Sequence, residues 1–264
     1  MIQIETMKYL FDLQGYLVIK DVLSADEVVT LNALMDRQQL PEPGAAVSEQ
    51  RFGGSNSDSE GVGLLDWGRP VCDLLDHSRI MPILEFVLGD GFRLDHYYGI
   101  YMRSGSEGLR LHGGGTPYDP PEHFHFRDGA MYNGLTVVSW NLRDTGPDVG
   151  GLLCIPGSHK SNYACPDEIQ SAHEHASCVV VPEVRAGSVV VFSEALAHGT
   201  APWKGTQQRR SFLFKYSPAQ QSWARNYPSP PEGVGLSERQ KLLFRPPYFS
   251  GHPSLFGSEG AVEY

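Results

Sequence analysis

The chain predicts a mainly β protein with flanking helices, a sandwich or barrel with helices packed on its outside. Three observations carry this expectation. Glycine (29) and proline (19) are both plentiful in 264 residues, which suits many short strands joined by turns. Runs of β-branched and aromatic residues recur between those turns. A capped amphipathic helix precedes most of them, and such a helix must bury its apolar face on a neighbour. With 41% hydrophobic, 11% aromatic and 20% charged residues the composition is that of an ordinary globular protein. Its length fits one domain over residues 1–264.

Residues 7–23 open with an amphipathic segment and continue into Gly15-Tyr16-Leu17-Val18-Ile19, a first strand by composition. Ser24-Ala25-Asp26-Glu27 is a capping box, in which serine and glutamate satisfy each other's unpaired backbone N–H groups. Val28, Leu31, Leu34 and Met35 recur at helical spacing, so a helix runs to about Arg37. Residues 41–60 are polar around Gly53-Gly54-Ser55-Asn56-Ser57-Asp58 and are expected to form a lid loop. Residues 66–89 read as helical, ending at Gly89. Phe92 to Met102 reads as a strand, joined through a glycine-bearing turn to Leu109-Arg110-Leu111-His112 as a hairpin. A second lid loop is expected over residues 113–130. Leu135 to Leu142 reads as the central strand. Leu152 to Ile155, a short Val179 to Val181, Gly187 to Phe192 and Arg210 to Tyr216 complete the core. The C-terminal extension, residues 218–264, carries one helix from Ser237 to Phe244.

Charge and punctuation exclude several classes of function. A formal net charge of -10, from 31 acidic and 21 basic residues, repels phosphate backbones, so no nucleic-acid partner is expected. No apolar run approaches the ~18 residues that span a bilayer, so no membrane partner is expected either. The first residues carry neither a basic region nor an apolar core, and Cys72, Cys154, Cys165 and Cys178 have no CxxC spacing. A cytoplasmic protein with reduced thiols is the reading that follows. Gly113 to Gly115 lacks the Lys-Ser/Thr of a phosphate loop.

Chemistry gathers instead at two histidines. Arg110-Leu111-His112-Gly113-Gly114-Gly115 and Ser193-Glu194-Ala195-Leu196-Ala197-His198-Gly199 each bring a histidine to the end of an extended apolar run, beside glycines that permit close approach. We read both as ligands of one metal ion. Two histidines and a carboxylate on one face of Fe(II) leave three positions open for other ligands. A dicarboxylate co-substrate also needs a cation nearby, best supplied by the fork of an arginine.

Gly15 to Ile19 before a capped helix, Gly150-Gly151 followed by Ile155-Pro156-Gly157-Ser158-His159-Lys160, and His198-Gly199 with an arginine eleven residues later together resemble the phytanoyl-CoA dioxygenase family over about residues 7–216. The resemblance implies a double-stranded β-helix, the jelly-roll or cupin-like barrel. It implies an Fe(II)- and 2-oxoglutarate-dependent dioxygenase that oxidises a small molecule, with succinate and CO2 as co-products. By the same resemblance His112 and His198 hold iron and Arg209 clamps the distal carboxylate of 2-oxoglutarate. Arg210 competes for that role, because neighbours on a strand face opposite sides. Thr136 or Asn141 is expected to touch 2-oxoglutarate.

Gly114 departs from the family pattern, since it stands where the His-x-Asp motif has its carboxylate. Three readings follow. The gap opens a coordination position for chloride, as in related radical halogenases. Alternatively another carboxylate fills it, Glu194 first and Asp119, Glu122 or Asp128 behind it. Lastly the chain is a non-catalytic small-molecule binding module. A metal-dependent isomerase or hydrolase on the same barrel would not need Arg209. His123 and His125 share one side of an extended chain and offer a second metal site with Asp128, though they read first as loop residues. His159 reads as structural, and His173 and His175 as exposed. The polar and aromatic lid residues point to a small polar substrate.

Overall fold

The computed structural model describes residues 3–43, 49–55, 62–171 and 176–257. His173, His175 and the Asn56-Ser57-Asp58 segment of the expected first lid lie outside the described residues. The chain opens with helix α1 (Ile4–Gln14), which Gly15 ends in the left-handed conformation at φ 81°. Strand β1 (Tyr16–Ile19) and helix α2 (Ala25–Arg37) follow, the latter with the Ser24/Glu27 capping box formed. Strand β2 (Gln50–Phe52) lies inside the stretch expected to be a loop. The helical reading of residues 66–89 resolves into two pieces, α3 (Arg69–Cys72) and α4 (Met81–Leu88), each with proline in its first turn.

Strand β3 (Arg93–Met102) is buried at all ten positions, because both faces of its sheet are covered. The hairpin expected between it and β4 (Leu109–His112) does not form. β4 pairs with β10 (His198–Ala201), whereas β3 pairs with β2 and β11 (Arg209–Ser217). The turn between β3 and β4 is thus a crossing from one sheet to another. A hairpin does form in the expected second lid, where β5 (Phe124–Arg127) pairs with β6 (Ala130–Asn133). Asp128 at φ 52° and Gly129 at φ 80° make its tight turn, the Asp-Gly signal of a two-residue hairpin loop.

Strands β7 (Thr136–Asn141), β8 (Gly151–Cys154) and β9 (Val189–Ser193) complete the barrel, and helices α5 (Asp167–Ser171) and α6 (Glu238–Leu242) lie outside it. Residues 179–181 contribute an isolated bridge from Val180 to Cys154 rather than a strand. One antiparallel sheet runs β1-β9-β7-β11-β3-β2, and a second runs β4-β10-β8. Strand parity divides the large sheet cleanly. Val138, Trp140, Phe212, Phe214 and Tyr216 pack with Leu31, Met35, Leu84 and Val87 in the helical layer. On the opposite face Tyr98, Ile100, Met102, Val137, Phe192 and Leu213 form the inner core, joined by Cys154 of the small sheet. The inner space between the sheets is where the histidines converge.

Candidate metal centre and co-substrate cavity

His112 ends β4, His198 begins β10, and the two are direct partners in the antiparallel register. Their ring centroids stand 4.2 Å apart. His198 Nδ1 meets the Leu196 carbonyl at 2.7 Å, and His112 Nδ1 meets the Arg110 carbonyl at 3.2 Å. A carbonyl only accepts, so both rings carry their proton on Nδ1 and leave the Nε2 lone pair free, the orientation a metal-binding imidazole needs.

The turn after β9 supplies the carboxylate. Glu194 Oε2 lies 3.6 Å from His198 Nε2, and ligand atoms of His112, Glu194 and His198 all fall within 4.8 Å of one another. A divalent ion bonded at about 2.0–2.2 Å to each of three atoms fits this scale. Among the described residues this is the one such group. Asp119, Glu122 and Asp128 do not belong to it. His123 and His125 also stand apart, their rings stacked at 5.4 Å with Tyr118 beside them.

Ionisation suits the geometry. Burial pushes His198 down to about 4 despite the nearby Glu194 charge, so the imidazole is neutral at pH 7. Burial would raise Glu194, but Lys215 and then His198 outweigh it and hold the carboxyl at about 2. Lys215 Nζ donates to Glu194 Oε1 at 2.6 Å. Its own pKa is lowered by burial but raised more by Glu194, with a net upward shift. Glu122 is pushed up to about 7, chiefly by burial and next by the charge of Glu194.

Gly113 and Gly114 explain how Glu194 reaches the histidines. Gly113 has φ 74°, and a Cβ there would stand 2.7 Å from the Glu194 carbonyl and 2.8 Å from that of Leu196. Only a glycine lets the 194–196 turn come so close. Gly114 has φ 111°, with nothing nearer than 4.0 Å to an added Cβ. Backbone conformation, not space, keeps a side chain from this position. Ser158 ties the two segments together: its carbonyl accepts from Gly115 N at 2.8 Å and its hydroxyl from Ala197 N at 2.7 Å. His159 beside it is buried, with Nε2 3.0 Å from the Asp12 carbonyl of α1.

Behind the histidines lies a cavity of about 60 Å³ lined by Tyr98, Ser139, Phe192, Arg209, Leu213 and Lys215 among others. Arg209 shares the inner face with Leu213 and Lys215 and is 4% exposed. Its Nη1 finds a weak acceptor, the Met102 sulfur at 3.3 Å, and its buried Nε finds none. Arg210 points the other way, to Asp36 of α2 at 2.7 Å. Thr136 shares the outer face with Val138 and Trp140, and its hydroxyl donates to the Gly134 carbonyl. That parity turns it from the cavity, contrary to expectation. Asn141 shares the parity of Ser139, but it is Ser139 that lines the cavity. Lys215 and Glu49, which also lines the cavity, went unread in the sequence, and Ser158 was read as part of the Ile-Pro-Gly-Ser-His segment without its clasping role.

The sequence model for phytanoyl-CoA dioxygenase (PhyH) matches residues 11–211. The chain belongs to the phytanoyl-CoA dioxygenase family. Among its relatives, an ectoine dioxygenase of Sphingopyxis alaskensis is 27% identical over 219 residues, covering 72% of this chain and 68% of that one. An ectoine dioxygenase of Nocardia farcinica is 24% identical, with 72% and 70% covered. HygX from Streptomyces hygroscopicus, solved with nickel and 2-oxoglutarate bound, superposes with a TM-score of 0.71 at 24% identity, covering 85% of this chain and 90% of HygX. The mainly β jelly-roll expected of a PhyH-family chain is the fold observed. No helix among the described residues is long and apolar enough to cross a membrane.

Proposed function

We propose that His112, Glu194 and His198 are the iron ligands of this family member and that Arg209 holds the distal carboxylate of 2-oxoglutarate. As a PhyH-family protein the chain is an Fe(II)- and 2-oxoglutarate-dependent dioxygenase acting on a small molecule. The observation that carries the residue assignment is the convergence of two imidazoles and one carboxylate beside a buried arginine with an orphaned N–H. The donor set fits both groups. Two nitrogen ligands and one oxygen ligand are the facial set that suits non-haem Fe(II). A buried guanidinium with no carboxylate bonded to it fits an incoming dicarboxylate. The cavity wall carries Arg51, Arg209 and Lys215 against Glu49 and Glu194, an excess of positive charge that favours a dianion.

When bound, Fe(II) and 2-oxoglutarate supply, with oxygen, the oxidising power for a substrate C–H bond, and release succinate and CO2. The chain contributes position and exclusion of water. Arg110 and Leu196 carbonyls aim the imidazoles, Lys215 fixes Glu194, and Phe192, Leu213 and Ile100 keep the inner wall apolar. His112 is exposed, so the centre opens towards the expected lid side. A small polar substrate is supported by the polar and aromatic β5–β6 region, and the relatives' names point to ectoine and, for a structure of HygX, hygromycin B. Oxygenation is favoured over halogenation because Glu194 supplies the carboxylate that Gly114 lacks.

Two measurements test this. Aerobic incubation with Fe(II), 2-oxoglutarate and candidate substrates, with and without chloride, is expected to yield succinate and an oxygenated product. A chlorinated product would establish the halogenase reading instead. Anaerobic Fe(II) titration of Glu194→Ala should show affinity reduced at least tenfold, the low end for groups that tune a metal site. Unchanged affinity removes Glu194 from the ligand set.

A further inference from the structure

The cavity that holds Arg209 also holds a carboxylate belonging to the chain itself. Glu49 precedes β2 and turns its side chain inward, leaving it 7% exposed. Its Oε2 accepts a hydrogen bond from Thr200 Oγ1 at 2.7 Å, and its Oε1 lies 3.6 Å from the Arg51 guanidinium. Thr200 stands on β10 two residues beyond His198, and Arg209 lines the same cavity. A hydroxyl donor and a guanidinium with no carboxylate bonded to it line one space fit for a carboxylate, and Glu49 takes up the hydroxyl donor of that space while remaining unbonded to Arg209.

Attachment supports the same conclusion. Strand β2 is three residues long and paired on one side with β3 at the sheet edge, and local openings draw on edge segments of this kind. Two carboxylates would repel each other in front of one cationic wall.

We propose that Glu49 is a built-in occupant of the co-substrate's carboxylate position, that 2-oxoglutarate binds by displacing it, and that Glu49 thereby sets the affinity for 2-oxoglutarate. The proposal rests on the reading of Arg209 as the carboxylate clamp. Burial lowers the pKa of Arg209 while the charge of Glu49 opposes that effect, which places the carboxylate within electrostatic reach of the guanidinium. Apparent affinity is reduced by the fraction of molecules in which Glu49 is still seated.

The test is calorimetric titration of 2-oxoglutarate into the nickel-loaded protein, for wild type, Glu49→Gln, Glu49→Ala and Arg209→Ala, with melting curves to establish that each is folded. Glu49→Gln keeps the shape and the bond from Thr200 but removes the competing charge. Both Glu49 variants are expected to bind 2-oxoglutarate about tenfold more tightly than wild type, as when a competent state of about one molecule in ten becomes the rule. Unchanged or weaker binding in both variants, with wild type and the Arg209 contrast behaving as expected, overturns the role of Glu49 alone. Equal binding by wild type and Arg209→Ala, or none by wild type, overturns the clamp reading and the proposal with it.

Discussion

Arg209 and Arg210 are adjacent, carry the same charge and do different work. Arg209 lies in the inner cavity without a carboxylate bonded to it, whereas Arg210 binds Asp36 and Asn32 of α2. Replacing Arg209 by alanine is expected to raise the Kd for 2-oxoglutarate at least tenfold with little loss of stability, because its main acceptor is a sulfur atom. Replacing Arg210 should leave 2-oxoglutarate binding intact and cost below about 1 kcal/mol, since Asp36 is well exposed. Calorimetry and urea denaturation separate the two outcomes. Hydropathy could not choose between these residues: both faces of β11 are buried, one against helices and one against the cavity, so neither parity reads as outward. The histidines were legible because each closes an apolar run beside glycine. Lys215 was hidden by the apolar strand around it, and Glu49 by the polar stretch before it.

The corner formed by Gly113 and Gly114 illustrates what an element adds beyond its residues. Gly114→Asp would place a carboxylate at the motif position, yet the backbone there is left-handed at φ 111°. The substitution is expected to cost about 1–3 kcal/mol of stability, read as a lowered Tm. Combined with Glu194→Ala it should fail to restore iron binding. Restored binding would show that the corner can refold into the ordinary motif. Local signals were read well along this chain. The Ser24/Glu27 box formed, and strands β7, β8, β9 and β11 lie close to their expected positions, whereas β10 had no strand signal of its own. Pairing was harder, because it depends on partners distant in sequence. The stretch after Met102 looked like a hairpin turn, but β4 found β10 nearly ninety residues away. Asp128-Gly129 was an available hairpin signal that the aromatic, proline-rich surroundings obscured.

At the scale of the molecule, burial of histidines couples folding to pH. His77, His96, His123, His159 and His198 all have lowered pKa values, with burial the largest cause in each. A depressed histidine adds stability that is full above its unfolded value and is lost as pH falls through the folded one. His159, 1% exposed and pushed down to about 4 from 6.5, illustrates the window. Its share is of order 3 kcal/mol, at about 1.4 kcal/mol per pKa unit. Glu122, pushed up to about 7, works in the opposite sense and offsets part of the total. Urea midpoints of the metal-free protein are therefore expected to fall between pH 6.5 and 4.5, and the slope should flatten in His159→Gln. A midpoint constant over that range would contradict the argument. Because His159 joins α1 to the Ser158 clasp, acid should loosen the scaffold behind both proposed ligand segments together.

The close approach of the 194–196 turn to Gly113 carries an evolutionary consequence. On the proposed ligand set a carboxylate at position 194 takes the place of one at position 114, where the backbone is left-handed. Among descendants of such a switch, glycines at 113 and 114 should co-vary with an acid four residues before the second histidine. On that reading a missing motif aspartate does not by itself mark a halide-accepting enzyme.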